Sequence, residues 1–243
     1  MHRAFPALAW AFLVASPAAA GPAVDGLERA ASCGPGWACV AAVDTPTPSA
    51  APTAAASTPA PTPGVSFDSV RRAAAAVKLA DAHEAAMFRA GLLDAGRQAA
   101  WTADGSVYVK TGDIPAEWLR DSSAQVAPYL LFAKEDPQVA AFLRGVMLRQ
   151  ARALARDPYA NAFRADYSVW EEKFELDSLA YPILLAWTYW RVTGDATPFD
   201  ADAAAGFAAA LATMKAEQDH ATAPRAYTHR ELKGNPVGST GMI

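Results

Sequence analysis

The sequence is poor in the residues that most often mark a metal or redox protein. It has two cysteines and four histidines in 243 residues. No H-E-x-x-H string or close histidine pair occurs, so a zinc site of the common kind is not expected. The G-x-S-x-G elbow and the G-x-x-x-x-G-K-[ST] phosphate loop are also missing. Basic residues are no more numerous than acidic ones, 21 Lys and Arg against 25 Asp and Glu, for a net charge of −4. Nucleic acid is therefore not an expected partner, because binding phosphates needs clustered positive charge. After the first twenty residues no apolar run is long and charge-free enough to cross a membrane. What is plentiful is core material: 52% hydrophobic residues, with seven Trp, seven Tyr and ten Phe. Such a chain can bury a core and is not dominated by disorder.

The amino terminus reads as a secretory leader. Met1-His2-Arg3 is a short positive start, Ala7 to Ala15 is apolar, Ser16-Pro17 breaks the run, and Ala18-Ala19-Ala20 supplies small residues for cleavage. The protein is expected to be exported, to a periplasm or to the outside. In an oxidising compartment Cys33 and Cys39 can close a small disulfide loop, or remain as two thiols. His83, His220 and His229 lie too far off in sequence to complete a metal site with them. Residues 21–40 form a short segment of their own. From Ala41 to Gly64 there are eight Ala, six Pro, five Thr and two Ser, the composition of a semi-extended linker. The folded unit is expected to begin near Ser66 and to run to Ile243.

Helical periodicity dominates that unit. Ser66 or Asp68 can cap a helix reaching about Gly96, with His83 in its middle. Ser122–Ala133 reads as a second helix. Asp136-Pro137 is a cap followed by proline at the first helical position. Behind it Val139, Phe142, Leu143, Val146, Met147 and Leu154 recur at helical steps. Asp177-Ser178 opens a fourth helix, apolar nearly all round and ended by Gly194. Thr197-Pro198 starts a fifth. Only Val107–Lys110 reads as a strand. Strands do not alternate with helices, so the fold class is all-α rather than α/β. Gly112-Asp113 and Gly194-Asp195 read as turns. The segment from Ala221 to Ile243 reads as loop, without a terminal cap.

Two stretches concentrate chemistry. In the first, Val109 to Pro128, the groups Asp113, Glu117, Arg120 and Asp121 bracket Trp118, and Asp121 before Ser122-Ser123 is a natural helix cap. Carboxylates and arginine can hydrogen-bond vicinal hydroxyls while an indole stacks on the C–H face of a sugar ring. The same residues would also serve a capped helix with an ordinary Arg–Asp pair and a core Trp. The second stretch, Trp170 to Ser178, holds Glu171, Glu172, Lys173, Glu175 and Asp177 just before the most apolar helix. It reads either as a solvated charged turn or as the mouth of a helical barrel.

Taken together, these strings resemble glycoside hydrolase family 125, the metal-independent exo-α-1,6-mannosidases. T-G-D-I-P-A-E-W-L-R-D-S-S-A-Q-V (Thr111–Val126) is similar to that family's first signature. W-E-E-K-F-E-L-D-S-L-A-Y-P (Trp170–Pro182) is similar to its second, and D-P-Y-A-N-A-F (Asp157–Phe163) lies between them. The resemblance covers about Ser66 to Ile243 and implies an (α/α)6 barrel, of which this chain would supply about the first half. It implies an inverting hydrolase that removes non-reducing α-1,6-linked mannose with no metal or other cofactor. The partner would be a mannose-containing oligosaccharide. Inversion needs an acid and a base carboxyl roughly 6.5–9.5 Å apart.

Gly238–Ile243 resembles the lead-in to the family's next motif, which carries the general acid, and the base follows further on. The resemblance therefore implies that both catalytic groups lie beyond residue 243 and that this stretch alone is inactive. It implies that Asp113, Trp118, Arg120, Asp121, Glu172 and Lys173 help line the sugar-binding end. A non-catalytic glycan-binding helical module, or another (α/α) barrel carbohydrate enzyme, are the alternative readings. With barrel neighbours missing, the helix at Ser178–Val192 would expose apolar faces, and the isolated chain is expected to aggregate or stay molten.

Overall fold

The structure is a computed structural model and describes residues 64–219. The leader, Cys33 and Cys39, the linker up to residue 63, His220, His229 and the loop-like segment to Ile243 lie outside the described residues. Among the described residues there are six α-helices, one 3-10 helix and five short strands. None of these helices is long and apolar enough to cross a membrane.

The first expected helix is two. Helix α1 spans Asp68–Ala76 and α2 spans Ala82–Arg97. The break comes from Asp81, whose carboxylate accepts from the amides of His83 (2.7 Å) and Glu84 (2.9 Å) and so starts a new helix. His83 thus sits in a first turn, exposed, not mid-helix. Phe67, rather than Ser66 or Asp68, stands at the α1 cap position, and no side chain caps it. The expected lone strand is half of a hairpin: β1 (Ala99–Trp101) pairs antiparallel with β2 (Val107–Val109).

Helix α3 spans Leu119–Val126 and starts three residues earlier than its serines suggest. The preceding strand β3 (Glu117–Trp118) holds the backbone extended through Trp118, and the amide of Leu119 donates to Asn161 O at 3.0 Å. Asp121 therefore lies inside the first turn and caps nothing, while the Ser122 and Ser123 hydroxyls donate back to Leu119 O. A 3-10 helix, Ala127–Leu131, replaces the rest of the expected helix, with Pro128 in its first turn.

Helix α4 (Pro137–Arg156) matches expectation: Asp136 accepts from the amides of Gln138 and Val139, and Pro137 fills the first position. Strands β4 (Ala162–Phe163) and β5 (Val169–Glu171) follow. Helix α5 (Leu176–Thr193) begins after Glu175 and ends at Gly194, whose φ of 74° is left-handed and whose amide donates to Trp190 O. Helix α6 (Ala201–Ala216) is capped by Asp200, not by Thr197-Pro198. Thr197 instead donates its amide and hydroxyl to Asp195, making a turn before the helix.

Helix α4 is the centre. One core layer sets Val139, Phe142, Leu143 and Val146 against Phe67, Val107, Tyr129 and Tyr189. A second sets Leu154 against Leu119, Phe163, Leu179 and Ala210, beneath the strands that carry the site described next. Helix α6 packs against α4 at Gly206, where an added Cβ would fall 2.2 Å from Ala151 O, so only glycine permits this approach.

Candidate functional site

Three strands of two or three residues bring the two chemical stretches together. β3 pairs antiparallel with β4, and β4 with β5; Trp118 faces Ala162, and Ala162 faces Glu171. Side chains then close the gap between the outer strands. Trp118 Nε1 donates to Glu171 Oε2 at 3.1 Å, and Asn161 Nδ2 donates to the same oxygen at 2.7 Å.

A second link runs between helix starts. Arg120, in the first turn of α3, donates Nη1 to Asp177 Oδ2 (3.1 Å) in the first turn of α5, and Nη2 to Asp121 Oδ2 (3.0 Å). The hydrogen bonds to Asp121 and Asp177 raise its already high pKa, with burial opposing them. Both carboxylates sit near helix amino termini, where negative charge is favoured. Lys173 Nζ lies 2.9 Å from Glu175 Oε1, and Glu175 Oε2 accepts from Ser178 Oγ at 3.0 Å. Burial pushes the Glu175 carboxyl up, but the Lys173 and Ser178 hydrogen bonds outweigh it and hold the group below the usual carboxylate range. The Glu175 hydrogen bond likewise raises Lys173.

These groups frame an open pocket of 520 Å³ whose wall includes Arg120, Phe174, Glu175, Asp177 and Tyr181. It offers a guanidinium as donor, carboxylates as acceptors and two aromatic rings, the mixture that vicinal hydroxyls on a ring require. Arg120 lines it directly; Asp121 and Lys173 join it through their ion pairs. Trp118, on β3 two residues before Arg120, is bonded to Glu171 and does not itself line the pocket. Glu172 is buried just past β5, away from the pocket wall. Asp113 is exposed in the 112–115 turn, where Gly112 has a φ of 69°. Sequence reasoning assigned Asp177 to helix capping and left Asn161 unremarked. Asn161 lies in the string Asp157–Phe163, which pointed to it without giving it a partner.

Among the described carboxyls whose proton affinity the surroundings clearly move, only Glu117 is pushed up. Its burial outweighs the pull of Arg149 and the Ser122 hydroxyl, and it is sealed from solvent. Glu175 goes the other way. A general acid must hold its proton near neutral pH and reach the leaving oxygen. Glu175, held below the usual carboxylate range, does not meet the first of these requirements.

The model of the metal-independent alpha-mannosidase family GH125 matches residues 81–168 and 164–238. The chain belongs to this family. The GH125 match includes every residue of the site just described. A solved metal-independent alpha mannosidase of Streptococcus pneumoniae, in a non-productive complex with alpha-1,6-mannobiose, is 37% identical with a TM-score of 0.52. That similarity covers 54% of this chain and 34% of the pneumococcal one. The meiotically up-regulated gene 157 protein of Schizosaccharomyces pombe is 40% identical over 113 residues, 37% of this chain and 22% of the yeast protein. The GH125 chain therefore spans about a third or less of the length of these relatives.

Proposed function

We propose that this chain forms the mannose-gripping part of an exported exo-α-1,6-mannosidase, an inverting hydrolase acting on non-reducing mannose. Its helices would build about the first half of an (α/α)6 barrel, with Trp118, Arg120, Asp121 and Lys173 at the sugar-binding end and Asp113 and Glu172 in its surrounding loops. The observation that carries this reading is the joining of the two motif segments, through Trp118 to Glu171 and Arg120 to Asp177, with Arg120 and Asp177 lining one open pocket. The general acid would come from residues outside this pocket, because Lys173 and Ser178 hold its Glu175 below the usual carboxylate range and an acid must keep its proton near neutral pH.

Calorimetry with α-1,6-mannobiose tests the reading. The chain binds the disaccharide at millimolar concentration, Arg120→Ala removes the heat, and an α-1,6-linked glucose disaccharide binds at least several-fold more weakly. No free mannose appears by proton NMR. Absence of heat, or equal binding of the glucose disaccharide, sinks the mannose assignment. Mannose release by this chain sinks the division between gripping and cleavage.

A further inference from the structure

Arg149 lies on α4, outside the pocket and outside both motif strings. Its side chain is 1% exposed, as is that of its partner Glu117. A charge this deep is costly unless its donors are met, and here three nitrogens meet three fixed oxygens. Nε donates to Glu117 Oε2 at 2.5 Å, Nη2 to Arg164 O at 2.7 Å and Nη1 to Ala165 O at 3.2 Å. The guanidinium carbon also lies 4.2 Å from the Tyr167 ring centre and 4.9 Å from that of Tyr108.

The oxygens it reaches belong to separate parts of the sheet. Glu117 is on β3; Arg164 and Ala165 are in the turn joining β4 to β5. Tyr167 closes that turn in the left-handed region, with φ of 63°. Strands of two, two and three residues cannot fix their own register. Trp118 follows Glu117 directly, and Glu171 is the last residue of β5.

We infer that Arg149 is a positioning residue: by clamping β3 to the β4–β5 turn, it sets the Trp118–Glu171 geometry and with it the placing of Arg120, two residues on, in the pocket wall. Its importance for sugar rests on the mannose-binding reading above. Lysine cannot replace it, because an ammonium is a point charge and cannot span three oxygens set by a planar fork.

The test follows the indole N–H of Trp118 by two-dimensional NMR of the full chain, assigned by its loss in Trp118→Phe. In Arg149→Lys this resonance shifts and exchanges faster with solvent. α-1,6-Mannobiose binding weakens by about tenfold, the order expected when a site is loosened by less than an ångström. Arg144→Lys, the same change at an ion pair on the same helix, moves neither. An unchanged indole and unchanged affinity in Arg149→Lys, whatever its melting temperature, overturn the inference. Should Arg149→Lys lose its helical circular dichroism, Glu117→Gln is read the same way, a shifted indole supporting the clamp and an unmoved one refuting it. A responsive indole in a parent chain that binds no mannobiose would sink the sugar reading and leave the clamp standing.

Discussion

Asp195 is a residue whose surroundings set a measurable pH response. Its Oδ2 accepts from the Tyr189 hydroxyl at 2.7 Å and Arg144 Nη1 at 3.1 Å; its Oδ1 accepts from the Thr197 hydroxyl and amide at 2.6 and 2.9 Å. Burial pushes the carboxyl up, but these donors and the Arg144 charge win and bring it from 3.8 down to about 2. A carboxyl depressed on folding stabilises above its unfolded pKa and loses that contribution as pH falls through its folded one. The parent should therefore lose urea resistance between about pH 4 and 2 more steeply than Asp195→Asn, and equal slopes would refute this. At this scale the sequence showed that Arg120 and Asp121 belong to one charged cluster, and the structure joins them as an ion pair, while the cap expected of Asp121 is absent. Arg149 was missed although its signal was present. The apolar series Val139, Phe142, Leu143, Val146 steps on to Arg149 and Gln150, so a charge and an amide interrupt a buried face. Such an interruption demands partners, and Glu117 and the serine pair Ser122–Ser123 supply them. No local rule places those partners 32 and about 28 residues away.

Among the elements, the contact of α6 on α4 depends on an absent side chain. Gly206→Ala must move backbone, because the new Cβ would meet Ala151 O, C and Cα within 2.8 Å. The cost is about 1–3 kcal/mol, typical of overpacking, and a urea titration with unchanged m-value measures it. Asp200→Ala loses one cap bond at the other end of the trade and costs about 1 kcal/mol. Helices were legible because long amphipathic periods survive any context, as α4 illustrates. Their starts were legible only at α4; elsewhere Asp81 opens an unexpected helix, and Asp200 and the extended Trp118 override the threonine and serines nearby. Strands of two residues, such as Glu117–Trp118, carry no period at all, so the sheet that assembles the site was invisible.

For the whole molecule, α5 keeps the all-round apolar character read from its sequence but is not covered all round. Tyr181, Leu184, Trp187 and Trp190 are 38–50% exposed along it. An exposed apolar row of this kind favours association. Sedimentation of the isolated chain should show weight growing with concentration, and the double change Leu184→Glu with Trp187→Glu should reduce it; a monomer at all concentrations would contradict this. The family was legible through ordered motifs, whereas the way those motifs meet required coordinates.

Between β3 and its partner β4 the chain runs through α3, the 3-10 helix and all of α4. Closing a loop of that span is an entropic cost that local pairing across two residues cannot meet. The β3–β4 pairing that joins the two motif segments therefore depends on α3 and α4 being in place first. A half-collapsed molecule, however helical, would still leave its two motif segments apart.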